Sequence, residues 1–145
     1  MVPEKEVRRR LRVAIENAQT SINTIATWNR LRNGMFNFDD TVKKALNRGV
    51  KFRFITDKPK DENPLLKIRE ASTKNPLYKV KYSNCPLSAV LGMYDEKEVI
   101  ISISATAGID EAPVLASNNP CLLAVSQNYF EVMWKTALKP KPERP

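Results

Sequence analysis

Residues 41–56 read TVKKALNRGVKFRFIT, and this stretch decides the fold. Phe38, Val42, Ala45 and Leu46 recur at helical spacing and form one apolar stripe. Asp39 and Asp40 open the segment, where carboxylates suit the positive end of a helix dipole. Lys43, Lys44 and Arg48 fall in its last turns, and Gly49 can take the left-handed conformation that ends a helix. Val50 to Thr56 then alternates in polarity, which is the period of a strand. A helix joined to a strand through one glycine is a building unit of an α/β fold.

Outward from this unit, Val7, Leu11, Ala14, Ile15, Ala18 and Ile22 predict an amphipathic helix over 4–19, with the arginines mostly on its wet face. A strand follows over 21–27, and 30–37, with Asn33-Gly34, reads as a loop. Beyond the central unit, 57–63 is a polar loop, and Asn63-Pro64 caps a short helix carrying Leu65, Leu66 and Ile68 that stops at Asn75-Pro76. Tyr78, Val80 and Tyr82 alternate with Lys79 and Lys81, a strand with one wet face near a sheet edge. Residues 89–94 and 99–104 form a hairpin across a charged turn, and 105–118 read as irregular. Asn119-Pro120 starts a last helix with Leu122, Leu123, Phe130, Met133, Trp134 and Ala137 on its apolar side. The sum is an α/β, three-layer sandwich with a mixed, mainly parallel sheet: one domain over 1–139 and a disordered tail over 140–145.

Composition narrows the chemistry. The 145 residues include no histidine, so no reaction that needs an imidazole is available. Two cysteines, Cys85 and Cys121, give neither a zinc-ligand pattern nor a need for a disulfide. Four glycines supply no phosphate-cradling loop, and no Ser-x-x-Lys pairs a hydroxyl with a base. No catalytic residue, metal or cofactor is therefore expected. The N-terminus, MVPEKEVRRRLRV, lacks the apolar centre of a signal peptide, and no apolar run approaches the roughly 18 residues of a membrane span. A cytoplasmic protein without membrane contact is the expectation. The net charge of +8 suits a polyanion, an anionic small ligand or merely a solvated basic surface.

Three segments carry a resemblance to a known family: TVKKALNRGVKFRFIT, the hairpin YDEKEVIISIS, and ASNNPCLLAVSQNYFEVMWKTA. Together they resemble the phospholipase-D-like regulatory domain of TrmB-type archaeal transcription regulators. The element order likewise resembles one half of the phospholipase D superfamily fold. That superfamily's motif is His-x-Lys, four residues, then Asp, followed by a Gly-Ser-x-Asn turn. With Asp95 as the aspartate, Ser88 stands at the position of the nucleophilic histidine, Val90 at that of the lysine, and Ser102 near the Gly-Ser turn. Serine and valine do neither job, so the resemblance implies the fold without its phosphoryl chemistry. It further implies effector sensing or dimerisation as a homodimer, with DNA reached only through an attached domain.

Ligands of open α/β sheets settle beyond the carboxyl ends of the parallel strands. Trp28 and Arg30 follow the first strand and Asp57 follows the second, an aromatic face and charges suited to a sugar or an anionic ligand. The competing reading makes Trp28 a plug for the sheet end and pairs Arg30 with an acid. Ser88, Ser102 and Ser104, with Asn118 and Asn119, are the other candidates for a pocket at the degenerate site. Their plain alternatives are strand serines and, for Asn119, a helix cap. The expected function is a non-catalytic ligand-sensing or regulatory domain responding to a small-molecule effector; a nucleic-acid-binding remnant of a phospholipase-D-type nuclease is the alternative.

Overall fold

The computed structural model describes residues 1–58, 75–104, 106–109 and 111–139, with backbone alone for 34–36. The short helix expected to start at Asn63-Pro64 and carry Leu65, Leu66 and Ile68, and the tail at 140–145, lie outside the described residues. A 3-10 turn, Glu4–Glu6, leads into α1 (Val7–Asn17), β1 (Ser21–Ile25), α2 (Trp28–Asn37), α3 (Asp39–Asn47) and β2 (Lys51–Thr56). Then come β3 (Tyr78–Tyr82), β4 (Leu91–Tyr94), β5 (Glu98–Ser102), β6 (Val114–Ser117) and α4 (Pro120–Thr136).

The strands form one sheet in the order β3-β2-β1-β4-β5-β6. β1, β2 and β3 run parallel, whereas β1–β4, β4–β5 and β5–β6 pair antiparallel. The sheet is mixed as expected, but parallel pairing is confined to one edge and does not predominate. Besides the hairpin, β4 pairs antiparallel with β1 and β6 with β5. β6 comes from the stretch read as irregular, and at only four residues it gives little alternation to read.

Strand alternation splits the core in two. Ile22, Phe52, Tyr78, Val80, Tyr94, Ile100 and Val114 face the side where Val7, Ala14 and Ile15 of α1, Leu31 of α2 and Ala45 of α3 pack. Ile25, Ile55, Leu91, Met93 and Val99 face α4, which places Phe130 among them with no exposure. Burying an aromatic side chain of that size contributes about 1.5–3 kcal/mol. Three layers result: helices, sheet, helix.

Two local devices hold these layers in register. At the end of α3, Gly49 adopts φ +90°, with its N–H donating to Leu46 O and that of Val50 to Ala45 O. These bonds close a Schellman cap that turns the chain into β2. Between β4 and β5, Asp95 and Glu96 both take φ 58°, and Lys97 N–H donates to Tyr94 O at 3.0 Å. That is a type I′ turn, whose twist suits a tight hairpin. The Asp95 carboxylate accepts from the Gln19, Thr20 and Ser21 amides and from the Thr20 hydroxyl, so the hairpin tip is tied to the start of β1.

The expected loop at 30–37 is helix α2. Thr27 Oγ1 accepts from Arg30 N–H at 3.3 Å, and Asp57 accepts from Trp28 N–H. Two acceptors on the first-turn amides and a buried Leu31 outweigh the helix-breaking tendency of Asn33-Gly34.

Candidate functional site

β1 and β2 end where β4 begins and β5 ends, since Ile25 pairs with both Ile55 and Leu91, and Leu91 with Ile101. This rim of the sheet receives Arg30 from α2. Arg30 is only 7% exposed; its Nε donates to Ala107 O at 2.7 Å and its Nη2 to Ser102 Oγ at 3.0 Å and Gly108 O at 3.1 Å. Ser102 Oγ in turn donates to Ser104 O at 2.8 Å and accepts from Ser104 N–H at 3.2 Å. Ser104 Oγ accepts from Ala107 N–H at 3.1 Å. One buried guanidinium thus joins Ser102 at the end of β5 to the Ala107 and Gly108 carbonyls.

The electrostatics of this latch are unusual. Among the described residues its hydrogen-bond acceptors are two carbonyls and a hydroxyl, none of them an anion. Burial lowers the Arg30 pKa from its ordinary value, and the field of Glu111 opposes that shift. The Glu111 carboxylate lies against Gly108, whose carbonyl Arg30 holds, and acts through its field rather than through one of these hydrogen bonds. Such a charge is less compensated than a hydrogen-bonded ion pair.

The candidate residues do not form one pocket. Arg30, Ser102 and Ser104 come together in the latch. Trp28 packs its ring against the core on the α1 side, while its amide meets the exposed Asp57, whose carboxylate supplies the anion at the start of α2. Ser88 is exposed and faces the other side of the sheet, its Oγ 3.1 Å from the Tyr129 hydroxyl of α4. Val90, at the lysine position of the resembled motif, is buried. Asn118 and Asn119 lie toward the opposite end of the sheet. β6 enters beside Ser102 and leaves at Ser117 opposite Val99, so they are displaced from the latch by three or more residues along the strand, roughly 10 Å or more. Asn119 caps α4, its Oδ1 accepting from the Cys121 and Leu122 amides. Asn118 is exposed on the same connection.

Sequence reasoning missed the carbonyls of Ala107 and Gly108, which no side-chain pattern signals, and Tyr129 as the neighbour of Ser88. It also missed a polar seam beneath α4. Arg53 Nε donates to Asn23 Oδ1 at 3.0 Å, Arg53 Nη2 meets Glu131 Oε1 at 2.5 Å, and the guanidinium stands 4.9 Å from the Phe130 ring centroid. The arginine between two phenylalanines in KFRFIT was the available sign, since alternation sends it to the face opposite them. Among the described residues no group of three or more His, Cys, Asp or Glu could hold a metal ion, and no helix is long and apolar enough to cross a membrane.

No family model matches the chain, and no curated protein matches it by sequence. Solved structures do match. TrmBL2, an archaeal chromatin protein whose structure shows a novel mode of DNA binding, superposes with a TM-score of 0.73 at 19% identity, covering 97% of this chain and 53% of that one. The chain therefore spans about half the length of TrmBL2. NucT from Helicobacter pylori gives a TM-score of 0.73 at 15% identity, covering 94% of this chain and 92% of that chain. Nuc from Salmonella typhimurium, a phospholipase D family member, gives 0.72 at 16% identity, covering 93% and 91%. With the order of strands described above, these likenesses establish that the chain has the phospholipase-D-like fold.

Proposed function

We propose that the chain is a non-catalytic regulatory domain in which a small anionic effector acts on the Arg30 latch. The observation that carries this reading is the composition of the rim. Where the resembled motif has its histidine and lysine, this chain has Ser88 beside the Tyr129 hydroxyl and a buried Val90. Neither supplies a base or a cation for phosphoryl transfer. The same rim keeps a buried guanidinium bound to neutral acceptors. An anionic effector adds counter-charge beyond the field of Glu111, competes with the Ala107 and Gly108 carbonyls, and releases or re-forms the contacts that Arg30 makes. A ligand moves such an equilibrium only by its difference in affinity for the two states, and the charge balance provides that difference.

The test is a thermal-shift panel of sugar phosphates, nucleotides, dicarboxylates and neutral sugars at two salt concentrations, on the chain and on Arg30→Gln. A salt-tolerant stabilisation by one anionic class that Arg30→Gln loses is expected. Stabilisation that Arg30→Gln retains, or none with any class, overturns the effector reading.

A second reading, contact with nucleic acid, has support in the net charge of +8 and in the DNA binding described for TrmBL2. Its physical basis lies on another face of the molecule.

A further inference from the structure

We propose that the α4-side face of β2 and β3 is a docking surface for a nucleic-acid phosphate backbone; this gives the nucleic-acid reading a location and rests on it. Strand alternation places Lys51, Arg53 and Ile55 of β2 on that face, and parallel pairing sets Arg53 beside Lys79 and Ile55 beside Lys81. Lys51 and Lys79 are exposed, and Lys81 is half-buried with its Nζ 4.3 Å from the Trp134 ring centroid and 3.0 Å from Trp134 O. Exposed Lys135 and Lys139 follow from the end of α4, which reaches this edge where Leu138 bridges to Tyr82.

The cations crowd one another. Burial first, then the fields of Lys139, Arg53 and Lys79, lower the Lys81 pKa from its ordinary value. Among the described residues the carboxylate seen to pair here is Glu131, and it is already taken by Arg53 and Gln127. Like charges at adjacent register positions destabilise a sheet. Lysines on an edge strand do discourage edge-to-edge association, but that purpose does not require them to converge with Arg53 and the end of α4. A phosphate backbone relieves the repulsion that this arrangement builds in. From Lys51 to the row of Lys81 the face extends four residues, roughly 13 Å, enough to meet successive phosphates. The two aromatic rings at this edge, Phe130 and Trp134, are already stacked on each other and covered by Arg53 and Lys81. Binding is accordingly electrostatic and indifferent to sequence.

Fluorescence anisotropy with a 20-base-pair duplex of arbitrary sequence, from 50 to 200 mM salt, tests this on the full chain. Lys51→Gln/Lys79→Gln is compared with Arg9→Gln/Lys44→Gln, an equal charge change at exposed sites on α1 and α3. The expected result is about tenfold weaker binding by the first variant, with a log K against log salt slope shallower by about 2, and little change in the second. Equal loss in both variants means attraction by net charge alone, and no loss in the first means binding elsewhere; either overturns this surface while leaving nucleic-acid contact standing. Absence of duplex binding at 50 mM salt, or binding only to anionic lipid vesicles, overturns the nucleic-acid reading as well.

Discussion

Arg30 Nη2 on α2 donates to Ser102 Oγ at the end of β5, 3.0 Å away, and so joins the first crossover to the far half of the sheet. Seventy-two residues separate the two in sequence. Replacing Arg30 with alanine leaves the Ala107 and Gly108 carbonyls without this donor. A loss of about 1–3 kcal/mol in unfolding free energy is expected. Amide exchange should quicken at Ser104 and Ala107, whose N–H groups bond to the serine hydroxyls that the latch orders. Unchanged exchange there would show that the turn holds itself closed.

The hairpin tip carries avoidable strain. Glu96 takes φ 58° at the second central position of a type I′ turn, a place glycine fills without a Cβ penalty. Glu96→Gly is expected to stabilise the chain by about 0.5–1 kcal/mol in chemical denaturation, the relief of strain exceeding the added freedom of the unfolded chain. A loss of stability would show that the glutamate side chain maintains the turn.

Acid should weaken the fold through two carboxylates. Burial alone would raise the Asp95 pKa, but hydrogen bonds from the Thr20, Gln19 and Ser21 amides outweigh it and hold the group below its usual range. Glu131 is lowered by its hydrogen bond to Arg53 against some cost of burial. Groups depressed in the folded state add stability above their unfolded pKa values, near 4, and lose it as pH falls through the folded ones. Thermal stability should therefore be flat above about pH 5 and decline below about pH 4. In Asp95→Asn the decline should be shallower and the neutral-pH stability lower, which a series of melts between pH 2 and 7 will read.

Sequence periodicity recovered the elements with strong local signals. The α3–Gly49–β2 unit, the edge strand at Tyr78–Tyr82 and the Asn119 cap of α4 all stand where the residue pattern put them. Elements held by distant partners did not announce themselves. α2 depends on the Asp57 carboxylate, a residue 29 positions from the Trp28 amide it accepts from, and β6 on pairing with β5. The candidate site was legible in part for the same reason. Arg30, Ser102 and Ser104 converge because the rim of the sheet collects strand ends, a consequence of topology. Asn118 and Asn119 were misplaced because β6, unread in the sequence, carries the chain down the sheet before α4 begins.

The Ser88–Tyr129 pair lies at an exposed position, so either hydroxyl should be dispensable for folding. Ser88→Ala and Tyr129→Phe are each expected to change stability by less than about 0.5 kcal/mol in denaturant unfolding. A larger cost would make the pair a structural link between the β3–β4 connection and α4.

Whether this rim lacks phosphoryl chemistry, as proposed, is tested most directly by incubating the full chain with bis(4-nitrophenyl) phosphate and with plasmid DNA. Ser88→Ala is run alongside. The expected result is hydrolysis at the rate of buffer alone for both proteins. Turnover above that rate would show the rim to be catalytic, and its disappearance in Ser88→Ala would identify the serine as the nucleophile.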